Sequence, residues 1–340
     1  MSNDTTQPRA AEFQRNPALD NALVELNRLM EFAEHEASGG FTEPRLPCVF
    51  ILGNARSGTT LTLQWLAASG VFAYPTNLLS RFYKAPAVGT LVQKVLTDPT
   101  YAFRDELGDF QGPPTFESAL GKTKGALSPH EFWYFWRRFF PEPELRPLDE
   151  SAATPEIIAE LRREFAAWES LAARPLAMKA MHMNFNVPFF ARIFPRAVFL
   201  HIHRQPFYNM QSLLESRRKH HGAVEQWYSV KPPDFAALSK LDPMRQVAGQ
   251  CFHTNRHITA ALASLPGQNA HILAYESLCA DPAAAFRAVM EKVRANGWDG
   301  AGDYSGPASF PVSNTPRFTS RELAAAKIAW REIAGSELHP

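Results

Sequence analysis

The stretch PCVFILGNARSGTT, residues 47–60, indicates the fold class more directly than any other part of the sequence. Its first six residues form a nearly continuous apolar run, which is typical of a strand buried on both faces of a parallel sheet. Gly53 and Gly58 then allow a tight turn, and an apolar helical stretch follows directly. In this order, strand, turn and helix place the amides of the helix N-terminus where they can bind an anion.

Three more apolar runs of strand length follow along the chain, at residues 176–181, 197–203 and 270–275. Segments that favour helices lie between the runs. Strands that alternate with helices form βαβ units, which build a parallel sheet with helices on its faces. The sequence therefore predicts an α/β fold with a doubly wound parallel sheet.

Both ends of the chain are predicted to contain a helix. Apolar residues recur at helical spacing over residues 19–30, and a glycine pair stops the pattern. We therefore expect residues 1–44 to form a polar leader and an N-terminal helix that packs on the main domain. A closing helix is expected at residues 321–333, where Thr319 and Glu322 have capping-box spacing at its start.

Residues 45–340 are predicted to form a single domain with two insertions. The first, at about residues 71–174, contains the turn Gly112-Pro113-Pro114 and an aromatic helix at residues 130–140. The second, at about residues 219–243, contains a proline pair and has weak periodicity. Insertions between βαβ units usually cover the ligand face, so both are candidate lids.

The composition is that of an ordinary globular protein, since 45% of the 340 residues are apolar and 20% are charged. The net charge of +1 provides no overall field that favours nucleic acid or an anionic membrane. Neither a signal peptide nor an apolar run of membrane-spanning length is evident. Cys48, Cys251 and Cys279 lie far apart, which favours reduced thiols in the cytoplasm and provides no metal-binding cysteine spacing.

The turn after the first strand has a spacing similar to the nucleotide-binding loop G-x4-G-K-[ST], so the predicted sheet is P-loop-like. Thr59 stands where that loop has its lysine, and Arg56 supplies a cation earlier in the turn. The hydroxyls of Ser57, Thr59 and Thr60, with the arginine and the amides of the turn, could hold one phosphate without a metal ion. The alternative is a tight turn that binds nothing.

A second candidate anion site follows the run at residues 197–203. Arg204 stands at the carboxyl end of that predicted strand, the side on which ligands bind in open α/β sheets. Pro206 favours the start of a helix, and Ser212 falls about two turns into it. An arginine fork and a hydroxyl can hold a second phosphate. Alternatively, Arg204 forms a structural salt bridge and Ser212 packs on a helix face.

Together, these clusters resemble the motifs of the cytosolic and bacterial sulfotransferase family. RSGTT at residues 56–60 is similar to the family's 5′-phosphosulfate loop, and Arg204 with Ser212 matches its 3′-phosphate pair. MKAMH at residues 178–182 resembles the family's lysine–histidine strand end. AYESL at residues 274–278 resembles its tyrosine–glutamate motif.

The resemblance implies a sulfotransferase that uses 3′-phosphoadenosine 5′-phosphosulfate as its donor and needs no metal. The acceptor would be a hydroxyl or an amine of an unidentified small molecule, carbohydrate or lipid. Tyr275 would lie near the adenine. In two places the chain departs from the family pattern: Ala55 replaces a common proline, and the C-terminal glycine-rich phosphate loop is not evident, so Arg317 is a candidate substitute for that loop.

Sulfuryl transfer requires neutralisation of the leaving phosphate and a base for the acceptor. We expect Arg56 and the turn to serve the phosphate, and the resemblance places Lys179 near the bridging oxygen. His182 is the first candidate for the base, because a near-neutral pKa suits that role and its strand end should face the donor. Glu131, on the aromatic helix, is the second candidate, and Glu117 is the third.

Two other functions remain open from the sequence. A P-loop nucleotide kinase or nucleoside triphosphatase would need the loop lysine and a magnesium-binding aspartate at a strand end, and neither is evident. A non-catalytic nucleotide-binding protein on the same fold would share the phosphate-binding residues and lack a correctly placed base.

Overall fold

The computed structural model describes residues 16–101, 110, 116–119 and 121–339. The polar leader up to residue 15 and the predicted turn Gly112-Pro113-Pro114 lie outside the described residues. Among the helices of the described ranges, none combines the length and the hydropathy that a membrane span requires.

Four parallel strands form the central sheet: β1 (Cys48–Leu52), β4 (Leu176–Lys179), β5 (Val198–His203) and β6 (Ala270–Ala274). Their order in the sheet is β4-β1-β5-β6. After β1 the chain adds β4 on one side and then β5 and β6 on the other, as expected for a doubly wound sheet. A short antiparallel hairpin of β2 (Ser118–Ala119) and β3 (Lys122–Thr123) lies apart from it. The predicted α/β fold is confirmed.

The described helices connect and cover these strands. They are α1 (Pro17–Ser38), α2 (Thr59–Ala68), α3 (Pro86–Thr97), α4 (Trp133–Phe139), α5 (Pro155–Ala172), α6 (Val187–Ile193), α7 (Pro206–His221), α8 (Phe235–Leu238), α9 (Pro243–Ala263), α10 (Tyr275–Ala280), α11 (Pro282–Ala295) and α12 (Ser320–Ala334).

Strand β1 lies inside the sheet because all five of its side chains are apolar and buried. Successive side chains of a strand point to opposite faces. Cys48, Phe50 and Leu52 accordingly join the core on one face of the sheet, where aromatic rings are concentrated. Val49 and Ile51 join the core on the other face, with apolar residues of α2 and α11.

The carboxyl ends of the four strands meet at one edge of the sheet, as parallel pairing requires. Gly53 follows β1, Lys179 ends β4, Arg204 follows β5 and Tyr275 follows β6. Each predicted functional residue at the end of one of these strands therefore lies at the same edge of the sheet.

The start of the aromatic helix differs from the prediction, whereas the cap predicted for the last helix is present. The aromatic helix is shorter than predicted, because Phe132 has a left-handed backbone (φ 54°) and its amide donates a 2.9 Å hydrogen bond to Nδ1 of His130. Helix α4 therefore begins only at Trp133. At α12, the capping box of Thr319 and Glu322 is confirmed, with both reciprocal hydrogen bonds present.

Helix α1 packs against the first insertion through buried polar side chains. Nδ2 of Asn27 donates a 2.7 Å hydrogen bond to the carbonyl of Arg81, and the carboxylate of Glu34 accepts one of 3.0 Å from the amide of Ala87. Burial raises the pKa of Glu34 to about 7. The division into a leader and a single domain with two insertions stays a prediction.

Candidate active site

The turn after β1 combines a glycine at positive φ with the start of a helix, a geometry that suits an anion-binding loop. Gly58 has a φ of 102°, and a Cβ atom added to it would lie 2.6 Å from Cδ2 of Tyr275. Only glycine therefore fits both the backbone and the space. Helix α2 begins at the next residue, Thr59, so its free N-terminal amides face the region beside the turn. Arg56 also has a positive φ, of 66°, which strains a residue with a side chain.

Three buried asparagines hold this turn in place. The side chain of Asn184 exchanges two hydrogen bonds with the backbone of Gly53, of 3.1 and 2.9 Å. Nδ2 of Asn209 donates to the carbonyl of Ala55 at 2.8 Å, and Nδ2 of Asn54 donates to Oδ1 of Asn209 at 3.1 Å. Sequence reasoning missed Asn184 and Asn209, although an asparagine within a buried segment needs polar partners and is a usable signal.

The two clusters that were predicted to bind anions are neighbours in the structure. Nε of Arg56 donates a 3.1 Å hydrogen bond to Oγ of Ser212, and Nη1 of Arg204 donates one of 3.2 Å to the carbonyl of Arg56. The turn after β1 and the residues around β5 and α7 are thus in direct contact. A single ligand can reach both clusters.

Arg204 is held by several neighbours in a fixed orientation. Its Nε donates to Oδ1 of Asn314 at 2.9 Å, and its Nη2 donates to the carbonyl of Ser313 at 2.6 Å. The guanidinium lies 5.0 Å from the centre of the Tyr275 ring, and the hydroxyl of Tyr275 accepts a 3.0 Å hydrogen bond from the amide of Ser313. Burial lowers the pKa of Arg204, but an arginine keeps its charge.

Neither Arg56 nor Arg204 is neutralised within the described chain, where no ion pair joins either guanidinium to a carboxylate. A buried cation without an acidic partner is costly unless an anion binds to it. Arg204 is buried and Arg56 is partly buried, so the pair is suited to a negatively charged ligand.

The segment that precedes α12 completes this side of the site. Oε1 of Gln211 accepts hydrogen bonds from the amides of Arg317 (2.6 Å) and Phe318 (3.2 Å), and Nε2 of Gln211 donates to the carbonyl of Thr315 at 2.9 Å. Arg317 lines the same cavity as Arg204, but its exposed guanidinium pairs with Glu215 at 3.2 Å. The sequence contained no pattern that links Gln211 to this distant segment.

An ion pair lies beside the turn on its other side. Nζ of Lys179 contacts Oε1 of Glu131 and lies 3.4 Å from the hydroxyl of Thr60. Nε1 of Trp133 donates to Oε2 of Glu131 at 2.5 Å. Burial raises the pKa of Glu131, but the charge of Lys179 and the hydrogen bonds from Lys179 and Trp133 outweigh it, so the pKa lies below its ordinary value. Glu131 is therefore ionised at neutral pH.

The structure places His182, the first candidate for the base, away from this site. His182 lies in a 3-10 turn after β4, packed against the rings of Trp136 (centroids 4.2 Å apart) and Phe190 (5.9 Å). Burial lowers its pKa to about 3, and its Nε2 has no hydrogen-bond partner in the described chain. The side chain does not line the cavity described below. This placement argues against the sequence-based choice, because the turn directs His182 into the aromatic core.

Glu117, the third candidate, is an exposed residue beside the hairpin. Its backbone carbonyl accepts a 3.3 Å hydrogen bond from Nε2 of Gln64, and it does not line the cavity. Of the three candidate bases, Glu131 alone reaches the cavity.

A cavity of about 970 Å³ connects these groups at the carboxyl edge of the sheet. This volume lies at the upper end of the usual range for ligand pockets, so it is large enough for a nucleotide and a second molecule. Its described lining carries eight lysine or arginine residues and three glutamates, although the whole chain has a net charge of only +1. The sequence-predicted residues that line it are Arg56, Gly58, Thr59, Thr60, Glu131, Lys179, Arg204, Ser212, Tyr275 and Arg317, whereas Ser57 is buried beneath the turn.

Comparisons with known proteins identify what the chain is similar to. A family model described as "Sulfotransferase family" matches residues 47–299. No curated protein matches the chain. The solved structure of sulfotransferase STF1 from Mycobacterium tuberculosis is 15% identical, with a TM-score of 0.50 over 91% of this chain and 82% of that one. Sulfotransferase STF9 from Mycobacterium avium is 14% identical, with a TM-score of 0.48 over 95% of this chain and 79% of that one.

At this identity the similarity to STF1 indicates the fold alone. The family match covers most of the chain and includes the turn, Lys179, Arg204, Ser212 and Tyr275. The family match gives no support to the alternative of a nucleotide kinase.

Proposed function

Since this chain belongs to the sulfotransferase family, we propose that its donor is 3′-phosphoadenosine 5′-phosphosulfate and that its acceptor is a hydroxyl or an amine. The observation that carries the donor is the contact between the two anion sites, in which Nη1 of Arg204 donates to the carbonyl of Arg56. An adenosine with phosphate at both its 3′ and 5′ positions needs two adjoining cationic sites in one cavity. The acceptor is a small molecule, a carbohydrate or a lipid.

The residues present fit such a nucleotide. The turn leaves no room for a Cβ at Gly58, the N-terminal amides of α2 lie next to it, and Arg56 has no carboxylate partner in the described chain. These groups suit the 5′-phosphosulfate. Arg204 and Ser212 suit the 3′-phosphate, and Tyr275 lies beside Arg204, where it can contact the adenine.

When bound, the donor supplies a sulfuryl group on a 5′-phosphate whose negative charge grows as the sulfur–oxygen bond breaks. Arg56 and the amides of α2 would stabilise that charge, and preorganised donors of this kind contribute about 3–4 kcal/mol each. Nζ of Lys179 lies 3.4 Å from the hydroxyl of Thr60, so its positive charge extends to the same place. Arg56, the amides of α2 and Lys179 would together stabilise the leaving group, although Lys179 is also paired with Glu131.

We assign the role of base to Glu131. Its pKa lies below the ordinary value, so the carboxylate is ionised at neutral pH and available to accept a proton. Lys179 and Trp133 each occupy one carboxylate oxygen, and each oxygen keeps a further lone pair. The contact with Lys179 supports this assignment, because Lys179 would lie near the sulfuryl group.

Two measurements test this proposal. The first is thermal unfolding of the protein with 3′,5′-bisphosphoadenosine, ADP, AMP or ATP with magnesium. We expect the bisphosphate to raise the midpoint most, because it alone places phosphate at both sites. Equal shifts with ADP and the bisphosphate would contradict the 3′-phosphate site, and a selective magnesium-dependent shift with ATP would favour the kinase.

The second measurement is transfer of labelled sulfate from the donor to a panel of phenols, sugars, lipid hydroxyls and amines. We expect a labelled product with the wild-type chain and none with Arg56→Ala. Binding of the bisphosphate without transfer to any class would instead favour the non-catalytic nucleotide-binding protein.

We also propose a cytoplasmic location. Cys48, Cys251 and Cys279 are all free and buried, as is typical of proteins kept under reducing conditions. Fractionation of the producing cells tests this, and recovery of the protein outside the cytoplasm would contradict it.

A further inference from the structure

Two histidines and an aspartate converge at a place outside the active-site cavity. His253 and His257 lie one turn apart on α9, and Asp234 immediately precedes α8. Nδ1 of His253 lies 3.0 Å from Oδ1 of Asp234, and Nε2 of His257 lies 2.7 Å from Oδ2. One ligand atom from each residue falls within 4.8 Å of the other two. All three side chains are partly exposed, so an ion from solvent can reach them.

We propose that Asp234, His253 and His257 bind a divalent transition-metal ion such as Zn²⁺. Zinc bonds to imidazole nitrogen and carboxylate oxygen are about 2.0–2.2 Å long, so ligands on one ion lie within about 4 Å of each other. The present atoms lie within 4.8 Å of one another, so the site would close slightly around an ion. Two imidazoles with one carboxylate favour zinc and its neighbours over magnesium or calcium. Three protein ligands leave a position for water.

The side chain of Arg256 lies beside the same atoms and has to move when an ion binds. The Nη2 atom of Arg256 lies 3.0 Å from Nδ1 of His253 and 3.4 Å from Oδ1 of Asp234. Its charge would repel a metal ion at this position. The Arg256 side chain is half exposed, so it can move into solvent when an ion takes its place. Without metal, the same residues form an ordinary hydrogen-bonded network.

The position of Asp234 gives the ion a structural role. Asp234 belongs to the second insertion, which also supplies Trp227, Tyr228 and Lys231 to the wall of the cavity. Metal binding would attach this segment to α9, whose own residues belong to the core. These three residues do not line the cavity, so the ion would take no part in sulfuryl transfer and the site does not depend on the proposed donor or acceptor.

Titration calorimetry with Zn²⁺ on untagged, chelator-treated protein tests the site, together with the visible absorption of bound Co²⁺. We expect one ion per chain, and at least tenfold weaker binding in Asp234→Asn and His257→Ala. Arg256→Ala should bind as tightly as wild type or more tightly. His35→Ala, at an exposed histidine on α1, is the matched control and should leave the titration unchanged.

The proposal would be overturned by the absence of binding to the wild-type chain, which needs no variant to fold. Unchanged stoichiometry and affinity in both ligand variants would overturn it as well. The proposal would also be overturned if replacing His220 and His221, which are adjacent in the sequence, abolishes binding while His257→Ala still binds the ion. Circular dichroism of each variant separates lost ligands from a lost fold.

Discussion

Arg204→Ala should weaken binding of 3′,5′-bisphosphoadenosine far more than binding of AMP. Arg204 is the residue to which we assign the 3′-phosphate, and AMP has no phosphate at that position. The 5′-phosphate of both ligands would lie on the turn at Arg56. The difference between the two ligands therefore isolates the contribution of the 3′-phosphate contact.

The hydrogen bonds of Arg204 set the size of the effect. A guanidinium carries five N–H groups, and Arg204 uses one each on Nε, Nη1 and Nη2 for Asn314, Arg56 and Ser313. One N–H on each Nη atom is left, which suits a bidentate contact with phosphate. Two charged hydrogen bonds at about 1.5 kcal/mol each amount to about 3 kcal/mol, or roughly a 150-fold higher Kd.

AMP should lose much less affinity. Arg204→Ala would affect AMP only by removing the hydrogen bond that Arg204 donates to the carbonyl of Arg56, which is a neutral acceptor. One such hydrogen bond is worth about 1 kcal/mol, which is roughly a fivefold change in Kd. Arg204→Lys should give an intermediate result for the bisphosphate, because lysine keeps the charge and loses the fork.

Isothermal titration calorimetry of both ligands with wild type, Arg204→Ala and Arg204→Lys is the appropriate assay. Thermal unfolding without ligand serves as the control for folding, since Arg204 also holds Asn314 and Ser313. If Arg204→Ala weakens the two ligands equally, Arg204 only supports the structure, and the assignment of the 3′-phosphate site is refuted.

Three further predictions follow from the same geometry. Glu131→Gln should lower kcat by about 100- to 10,000-fold with donor affinity unchanged, whereas Glu117→Gln, outside the cavity, should leave kcat unchanged. Because the pKa of Glu131 is lowered, kcat/KM should show no loss of this base until the pH falls below 4.5, the ordinary pKa of a glutamate. An inflection near pH 6.5 would point to another base. Gly58→Ala should abolish bisphosphate binding in the same calorimetric assay, because its Cβ would lie 2.6 Å from the ring of Tyr275. Gly222→Ala is the control and should retain binding, because Gly222 also has a positive φ but a Cβ there would have nothing within 4 Å. Burial lowers the pKa of His182 to about 3 from about 6.5 in the unfolded chain, so the free energy of unfolding should decrease as the pH falls from 6.5 towards 3. In urea titrations, the free energy of unfolding of His182→Phe should decrease less over this pH range. A decrease identical to that of wild type would contradict the burial of His182.

Local patterns in the sequence were enough to predict the sheet and to select the residues of the two candidate anion sites. The run at residues 47–52 is apolar throughout because β1 is buried on both faces, and the glycines behind it are required by the backbone of the turn itself. Arg204 and Tyr275 directly follow their strands. In a parallel sheet all carboxyl ends lie at one edge, so pattern alone placed these residues together.

The choice among the candidate bases could not be made in this way. Lys179 and Glu131 are separated by 48 positions, and their contact exists only because the first insertion folds back over the sheet. His182 follows β4 closely, yet a single 3-10 turn directs it into the aromatic core. A rotation of one residue about a turn changes the face to which a side chain points, and local propensity does not encode that rotation.

The buried asparagines and the segment before α12 depend on the tertiary structure for the same reason. Gln211 and the amide of Arg317 are 106 positions apart, and Asn184 is 131 positions from the glycine it supports. The amino-acid pattern determines which segments become strands, turns and helices, because those preferences arise between near neighbours. Which distant polar groups meet is decided when the apolar faces pack, since every buried donor and acceptor must then find its partner within the assembled core.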